Sequence, residues 1–102
     1  MNFKNKYLLV FLLFLLLAAC GTALYIPTQT DADHTGLPAD SLLMGRKLYV
    51  DHCGSCHNLY LPEQFSKQHW MEEIPEMKQK AKISDQEARL IRNFILARSK
   101  PE

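Results

Sequence analysis

The pattern of apolar and polar residues divides the chain into an apolar beginning, a polar stretch and a segment with helical periodicity. Residues 1–19 read MNFKNKYLLVFLLFLLLAA, with Lys4 and Lys6 ahead of an unbroken apolar run from Tyr7 to Ala19. This run is shorter than the about 20 residues that span a bilayer comfortably, and basic residues before a short apolar run are typical of an export signal. We therefore predict a signal peptide over residues 1–19.

The cysteine that follows predicts a lipid anchor. Leu17-Ala18-Ala19-Cys20, followed by Gly21, resembles the processing site of bacterial lipoproteins, where cleavage leaves a diacylated cysteine at the new N-terminus. The alternative is an uncleaved signal anchor that extends to Ile26, although Gly21, Thr22 and Pro27 interrupt its apolar run. Under both interpretations the protein lies on the periplasmic or extracytoplasmic face of a membrane.

Polar residues without a regular apolar period make up the next stretch. Residues 20–40 begin with Cys20 and continue as GTALYIPTQTDADHTGLPAD, which is rich in Thr, Asp, Pro and Gly. Such a composition predicts a flexible tether, with an end-to-end distance of about 25 Å for a chain of this length. The folded domain is therefore expected over residues 41–102.

Helical spacing dominates this domain, and no stretch alternates with period two, so we predict an all-α fold. Asp40 or Ser41 is expected to cap a helix that runs toward Cys53, and Ser66 a second helix with Trp70 on its inner face. Pro75 should kink or restart the second helix just before Met77, because proline removes a backbone donor. Ser84-Asp85-Gln86-Glu87 has the form of a capping box and predicts a last helix, with an apolar stripe at Ala88, Ile91, Phe94 or Ile95.

Charge and size narrow the candidate functions. The chain has 12 Lys and Arg against 11 Asp and Glu, and removal of Lys4 and Lys6 leaves ten against eleven. No basic stripe is present, so nucleic-acid binding is excluded. A domain of residues 41–102 buries little apolar surface, and such small domains usually need a disulfide, a metal or a cofactor for stability.

The candidate chemistry lies in the pentad Cys53-Gly54-Ser55-Cys56-His57, which is the attachment pattern of c-type haem. Two thiols three positions apart can add to the two vinyl groups on one porphyrin edge, and the histidine that follows is carried to the iron. The alternatives are a Cys53–Cys56 disulfide and a thioredoxin-like redox pair. The redox pair needs a βαβ unit, which the predicted all-α fold does not offer. A zinc site would need a second ligand pair, which His34, His52 and His69 do not form.

Further residues resemble the class I cytochromes c. Gly45 and Tyr49, eight and four residues before Cys53, stand where that family has a glycine and an aromatic residue on its N-terminal helix. The stretch from Trp70 to Met77, followed by a helix that bears Phe94, is similar to a group of small monohaem cytochromes. The likeness covers residues 45–98 and implies a compact helical cytochrome c domain around one covalent haem c with its iron. It also implies that Phe94 or Ile91 meets Gly45 where the first and last helices cross.

This resemblance makes Met77 the expected sixth ligand of iron, opposite His57. His69, Met71 and an open sixth position remain alternatives, since an unassigned methionine is more often a core residue. The short separation of His57 and Met77 departs from longer class I chains and predicts less protein over one haem edge.

The expected function is electron transfer to and from redox partner proteins, without catalysis. His/Met ligation raises the reduction potential and holds the iron low-spin. The sequence offers no nucleophile with a partner, no acid–base pair and no pocket for a small-molecule substrate. The alternatives are a haem-based sensor or binder with an open sixth position and a haem subunit of a larger oxidoreductase complex.

Overall fold

The computed structural model describes residues 3–19, 23–54 and 59–102, except the side chains of residues 16–19. These residues form five α-helices and one turn of 3₁₀ helix: α1 (Phe3–Ala19), α2 (Gln29–Thr35), α3 (Ala39–Cys53), the 3₁₀ turn (Pro62–Gln64), α4 (Lys67–Ala81) and α5 (Asp85–Leu96). In the described parts of the chain the only β pairing is an isolated bridge between Ser66 and Lys100. The all-α prediction is confirmed.

Helices α3 and α5 cross at Gly45, which is buried. A Cβ atom built on Gly45 would lie 2.1 Å from the carbonyl oxygen of Leu90 and 2.9 Å from Cβ of Phe94. Phe94 is fully buried at the crossing, and its ring centroid lies 6.0 Å from that of Tyr49. The expected approach of Phe94 to Gly45 is confirmed, and only glycine allows the two backbones to come this close.

Helix α4 differs from the prediction because it runs without interruption through Pro75. Of the two predicted outcomes, a kink or a restart before Met77, the restart is therefore wrong. Proline inside a helix removes one hydrogen bond and costs about 3 kcal/mol. Trp70 and Ile74, buried on the inner face just before the proline, fasten this part of α4 to the core and offset that cost. At the other end of the helix Lys82 adopts φ 55°, and its left-handed conformation closes α4.

The helix caps agree with the sequence patterns in two of three cases. The Ser66 hydroxyl accepts from the His69 amide at 3.2 Å, and the Ser84 hydroxyl accepts from the Glu87 amide at 3.1 Å. The prediction for α3 is wrong, since the helix begins at Ala39 with Pro38 as its N-cap. Ser41 does not cap α3, because its hydroxyl donates to the Pro38 carbonyl at 2.8 Å.

Residues 23–36 form a second difference from the prediction, because they are docked on the helical domain where a flexible tether was expected. The Tyr25 ring stacks on Phe94 with 4.6 Å between centroids, and the Tyr25 hydroxyl donates to the Phe94 carbonyl. Arg46 Nε donates to the Tyr25 carbonyl at 3.0 Å. Helix α2 follows, and its Ala32 is buried. We call residues 23–36 the docked segment.

An ion pair ties the docked segment to the residues after α5. Arg98 Nε lies 2.6 Å from Asp31 Oδ1, and Arg98 Nη2 lies 3.2 Å from Asp31 Oδ2, so the pair is bidentate. The Arg98 guanidinium also lies 4.6 Å from the centroid of the Tyr25 ring. Asp31 accepts from the Thr28 amide at 2.9 Å as well, which caps α2. A buried carboxylate with these partners needs both of its oxygens satisfied, which fixes the segment in one position.

We expect the Asp31–Arg98 pair to make the stability of the fold depend on pH. The hydrogen bond from Arg98 lowers the pKa of Asp31 to about 2. Burial acts in the opposite direction, and the hydrogen bonds from Thr28 lower the pKa further. Since the folded pKa lies below the unfolded pKa, the pair stabilises the fold above about pH 4 and loses this contribution as the pH falls toward 2. Because Arg98 is half-exposed, Asp31→Asn should lower the free energy of unfolding at pH 7 by only about 1–2 kcal/mol. The stability of the variant should also change less with pH below pH 4.

Chemical denaturation of the holoprotein at pH 7 and pH 3 measures both effects. Asp33→Asn is the matched control on the exposed side of α2 and should change stability by less than about 0.5 kcal/mol. Equal loss of stability in the two variants at pH 7 would contradict the role assigned to Asp31.

Helix α1 exposes its apolar side chains from Tyr7 to Leu15. Among the described residues no helix combines the length and apolar character needed to cross a membrane.

Candidate functional site

A cleft of about 670 Å³ lies where α3 ends, and three parts of the chain form its walls. These are the last turns of α3, residues 59–65 and the inner face of α4. The volume falls within the 300–1,000 Å³ typical of cofactor and small-molecule sites.

The wall from α3 carries Tyr49, His52 and Cys53. Tyr49 is 1% exposed, and its hydroxyl donates to the Tyr60 carbonyl at 2.6 Å, so it ties α3 to the facing loop. Cys53 is half-buried, and burial raises the pKa of its thiol. Gly54 follows Cys53 and ends the helix, with its amide donating to the Val50 carbonyl at 3.2 Å.

The loop wall consists of Leu59, Tyr60 and Phe65. The Phe65 ring meets the Tyr60 ring edge-on at 5.4 Å and the Trp70 ring edge-on at 5.5 Å between centroids. A hydrogen bond fixes the loop to α4, because the Trp70 indole donates to the Pro62 carbonyl at 2.9 Å. The sequence analysis did not single out Tyr60 or Phe65 for the site. The sequence marks them only as aromatic residues close to the Cys53–His57 pentad and to Pro62.

The wall from α4 follows from the helical register. Trp70, Glu73, Met77 and Lys80 are spaced by three or four residues and all line the cleft. Met77 is half-buried and packs against the core, whereas Met71 points away from the cleft and is 48% exposed. Because α4 continues through Pro75, the side chain of Met77 stays on the face set by Trp70.

His69 also lines the cleft, and its ring stacks on Phe65 with 4.2 Å between centroids. The structure therefore brings together three of the candidate residues, Cys53, Met77 and His69, and leaves Met71 outside. Cys20, Cys56 and His57 lie outside the described residues.

Polar groups are confined to a few positions on the cleft. His52 Nε2 lies 3.4 Å from Glu87 Oε2, and Lys80 Nζ lies 3.2 Å from Glu76 Oε1. Lys80 is a helix-surface cation whose pair is exposed and weak, so it can exchange its partner for another carboxylate at little cost. The sequence analysis missed both His52 and Lys80 as cleft residues.

These walls fit a haem group. Flat aromatic and aliphatic side chains suit a porphyrin ring, a cysteine stands on one wall, and a thioether stands on another. Cys53 would hold the ring covalently, Met77 would offer a soft thioether ligand, and Lys80 would offer a cation to a propionate carboxylate.

In the comparison with protein families, residues 49–102 match the model described as dihaem cytochrome c. The chain belongs to this family. The match begins at Tyr49 within α3 and continues through the pentad, the loop wall, α4 and α5, so it includes every wall of the cleft. The comparisons with curated proteins and with solved structures give no match.

Membership of this family means that the protein is a c-type cytochrome, with covalently held haem c and iron, whose general function is haem-based electron transfer. The family is described as dihaem, whereas the sequence analysis named small monohaem cytochromes, so this match does not support a count of one haem. The chain of this cytochrome contains three cysteines and one Cys-x-x-Cys-His pentad.

The bound haem supplies one-electron exchange between ferric and ferrous iron. The residues that line the cleft would orient this group. The buried Tyr49 and Trp70 fix the loop wall to α3 and α4 through hydrogen bonds to loop carbonyls. Leu59 and Phe65 provide a low-dielectric surface, which disfavours the more highly charged ferric state.

Proposed function

We propose that this protein is a membrane-tethered electron carrier with one haem, attached through Cys53 and Cys56 and ligated by His57 and Met77. One observation carries the proposal: Cys53 and Met77 line the same cleft, and Met71 does not. The protein acts on no substrate of its own and passes electrons between redox partner proteins.

The register of α4 is the support for Met77. The helix is continuous from Lys67 to Ala81, so Met77 follows Trp70 by two turns on the same face. A thioether on iron favours the ferrous state and keeps the iron six-coordinate, so that electron exchange needs little movement.

The count of one haem rests on the single pentad. Covalent attachment at both vinyl groups uses two thiols and a following histidine, and the third cysteine of this chain, Cys20, has no such neighbours. Haem content per chain, from the absorption of the alkaline pyridine complex against total protein, should therefore equal one.

Met77→Ala should open the sixth position of iron. We expect the ferric protein to lose its weak charge-transfer band at the red end, to become high-spin and, once reduced, to bind carbon monoxide. The reduction potential should fall by on the order of 100 mV, within the about 0.8 V range that axial ligands span.

Met71→Ala is the matched control for this variant, since it removes a methionine of the same helix from its exposed side. It should keep the band, the spin state and the potential. Loss of the band in Met71→Ala and its retention in Met77→Ala would assign the ligand to Met71 and contradict the register argument. Low-spin ferric iron without this band in the unmodified protein, together with high-spin iron in His69→Ala, would assign the sixth ligand to the histidine.

The anchor that we propose is lipid on Cys20, which follows an apolar segment and the residues Leu17-Ala18-Ala19. Two or more acyl chains bind a bilayer firmly, whereas one chain binds only marginally. The anchor would place the haem at the extracytoplasmic surface, within reach of membrane-bound and soluble partners.

Cys20→Ala should abolish lipidation and normal cleavage, as measured by the intact mass of the protein. A second version, with an ordinary cleavable signal fused before Gly21, should be released in soluble form with its haem. If this version still sediments with membranes after a salt wash, a protein partner must be the anchor.

A further inference from the structure

We propose that Asp31 and Arg98 are positioning residues for the loop wall of the haem cleft. Neither residue lines the cleft, and the pair acts through residues 97–100, which follow α5 and which we call the C-terminal link. The inference rests on the proposed place of the haem in this cleft. It gives the docked segment a part in setting the reduction potential of the haem.

The C-terminal link is bonded to the loop wall through its backbone. The Lys100 amide donates to the Phe65 carbonyl at 3.0 Å, and Lys100 forms the isolated β bridge with Ser66. Ser66 is the N-cap of α4, so the bridge meets the chain where the loop wall ends and α4 begins. The position of Phe65 therefore depends on the path that the backbone takes after α5.

The side chain of Arg98 fixes this path. The Arg98 amide donates to the Ile95 carbonyl at 3.2 Å and so continues the last turn of α5. Its guanidinium is held at two places in the docked segment, by the bidentate pair with Asp31 and by the face of the Tyr25 ring. Since Asp31 is only 5% exposed and both of its oxygens are bonded, the pair holds Arg98 in one position.

Charge on the loop also attracts Arg98. Glu63 belongs to the 3₁₀ turn between Tyr60 and Phe65. The hydrogen bonds to Asp31 raise the pKa of Arg98, and although burial opposes this effect, the negative charge of Glu63 adds to it. Arg98 is therefore drawn both to the docked segment and to the loop that carries Phe65.

Phe65 transmits the position of the link to the cleft. Its ring lines the cleft, stacks on His69 at 4.2 Å and meets Trp70 edge-on at 5.5 Å between centroids. A loop wall released from the link would let water approach the haem. Water stabilises the more highly charged ferric state, so the reduction potential would fall.

Two substitutions break the pair with opposite changes in charge, Asp31→Asn and Arg98→Gln. If charge alone mattered, loss of the carboxylate would raise the reduction potential of the holoprotein and loss of the guanidinium would lower it. We expect the potential to fall in both variants, because both release the link. The Lys100 amide should also exchange with deuterium several-fold faster in both, as measured on the C-terminal peptide.

Two control variants separate this effect from the loss of a charge and from the loss of stability. Asp33→Asn removes a carboxylate from the exposed side of α2, and Ala88→Gly weakens α5 near its start, away from the link. Both should keep the potential and the exchange rate of the unmodified protein. A chain that ends at Ser99 lacks the Lys100 amide, so its potential should fall although the ion pair is intact.

The inference would be overturned by shifts of opposite sign in Asp31→Asn and Arg98→Gln, because charge alone would then explain them. Unchanged potentials in both variants, with reduced stability, would also overturn it and leave the pair a purely structural role. An equal fall in Ala88→Gly would do the same, since loss of stability in general would then be the cause.

An unchanged potential in the chain that ends at Ser99 would overturn the route through Lys100 and with it the inference. Ligation by Met77 is tested separately, by the charge-transfer band and spin state of Met77→Ala. A failure of the proposed ligand is therefore distinguishable from a failure of the positioning role of Asp31 and Arg98.

Discussion

Replacement of both Cys53 and Cys56 with alanine should leave a chain without stable tertiary structure. The cleft of about 670 Å³ is too large to close by movement of a few side chains, and its walls include Leu59 and Phe65. Without covalent haem these apolar groups would face water. A domain of this size has little other apolar burial to compensate, so the loss should exceed the whole free energy of unfolding, which is about 5–15 kcal/mol for typical domains.

Far-UV circular dichroism during heating measures this outcome. The double variant should show reduced helicity and no cooperative transition, and each single variant, with one thioether bond left, should be intermediate. A cooperative transition with native-like helicity in haem-free protein would contradict the dependence of the fold on haem.

Gly45→Ala should destabilise the folded holoprotein by about 2 kcal/mol or more. The added Cβ would lie 2.1 Å from the Leu90 carbonyl oxygen, and this atom belongs to the backbone of α5 and cannot rotate away. Forced separation of packed helices costs about 1–3 kcal/mol and occasionally more, which exceeds the about 1 kcal/mol that alanine gains over glycine inside a helix. Phe94, which packs on both Tyr49 and Tyr25, would shift as well.

Gly36→Ala is the control for this variant. A Cβ on Gly36 meets no atom within 4 Å, but its φ of 71° is unfavourable for alanine, so the cost should be about 1–2 kcal/mol and arise from the backbone alone. Equilibrium denaturation of both holoproteins gives the comparison. Gly45→Ala protein as stable as the unmodified protein would contradict the close crossing of α3 and α5.

Local patterns in the sequence were sufficient for the starts of α4 and α5, and the resemblance to class I cytochromes c implied the crossing of α3 and α5. The Ser66 and Ser84 caps depend on residues within one turn, and Gly45 precedes Tyr49 by one turn on the face that meets α5. Met77 came from the resemblance to known cytochromes, and the structure adds that the unbroken register of α4 puts it on the same face as Trp70.

Contacts between distant residues could not be predicted in this way. The docked segment is held by pairs such as Asp31 with Arg98, which are 67 residues apart, and α2 is too short to show an apolar period. Tyr60 and Phe65 belong to a loop whose conformation depends on hydrogen bonds from Tyr49 and Trp70. Continuity of α4 through Pro75 depends on burial on its inner face, which local propensity does not contain.

The absorption spectrum of the purified protein in both oxidation states, recorded together with haem content, tests the proposed carrier most directly. We expect one haem per chain, low-spin iron in both states, a weak charge-transfer band at the red end of the ferric spectrum and no rapid uptake of carbon monoxide by the ferrous form. High-spin iron that binds carbon monoxide at once, or two haems per chain, would contradict the single His57/Met77-ligated haem.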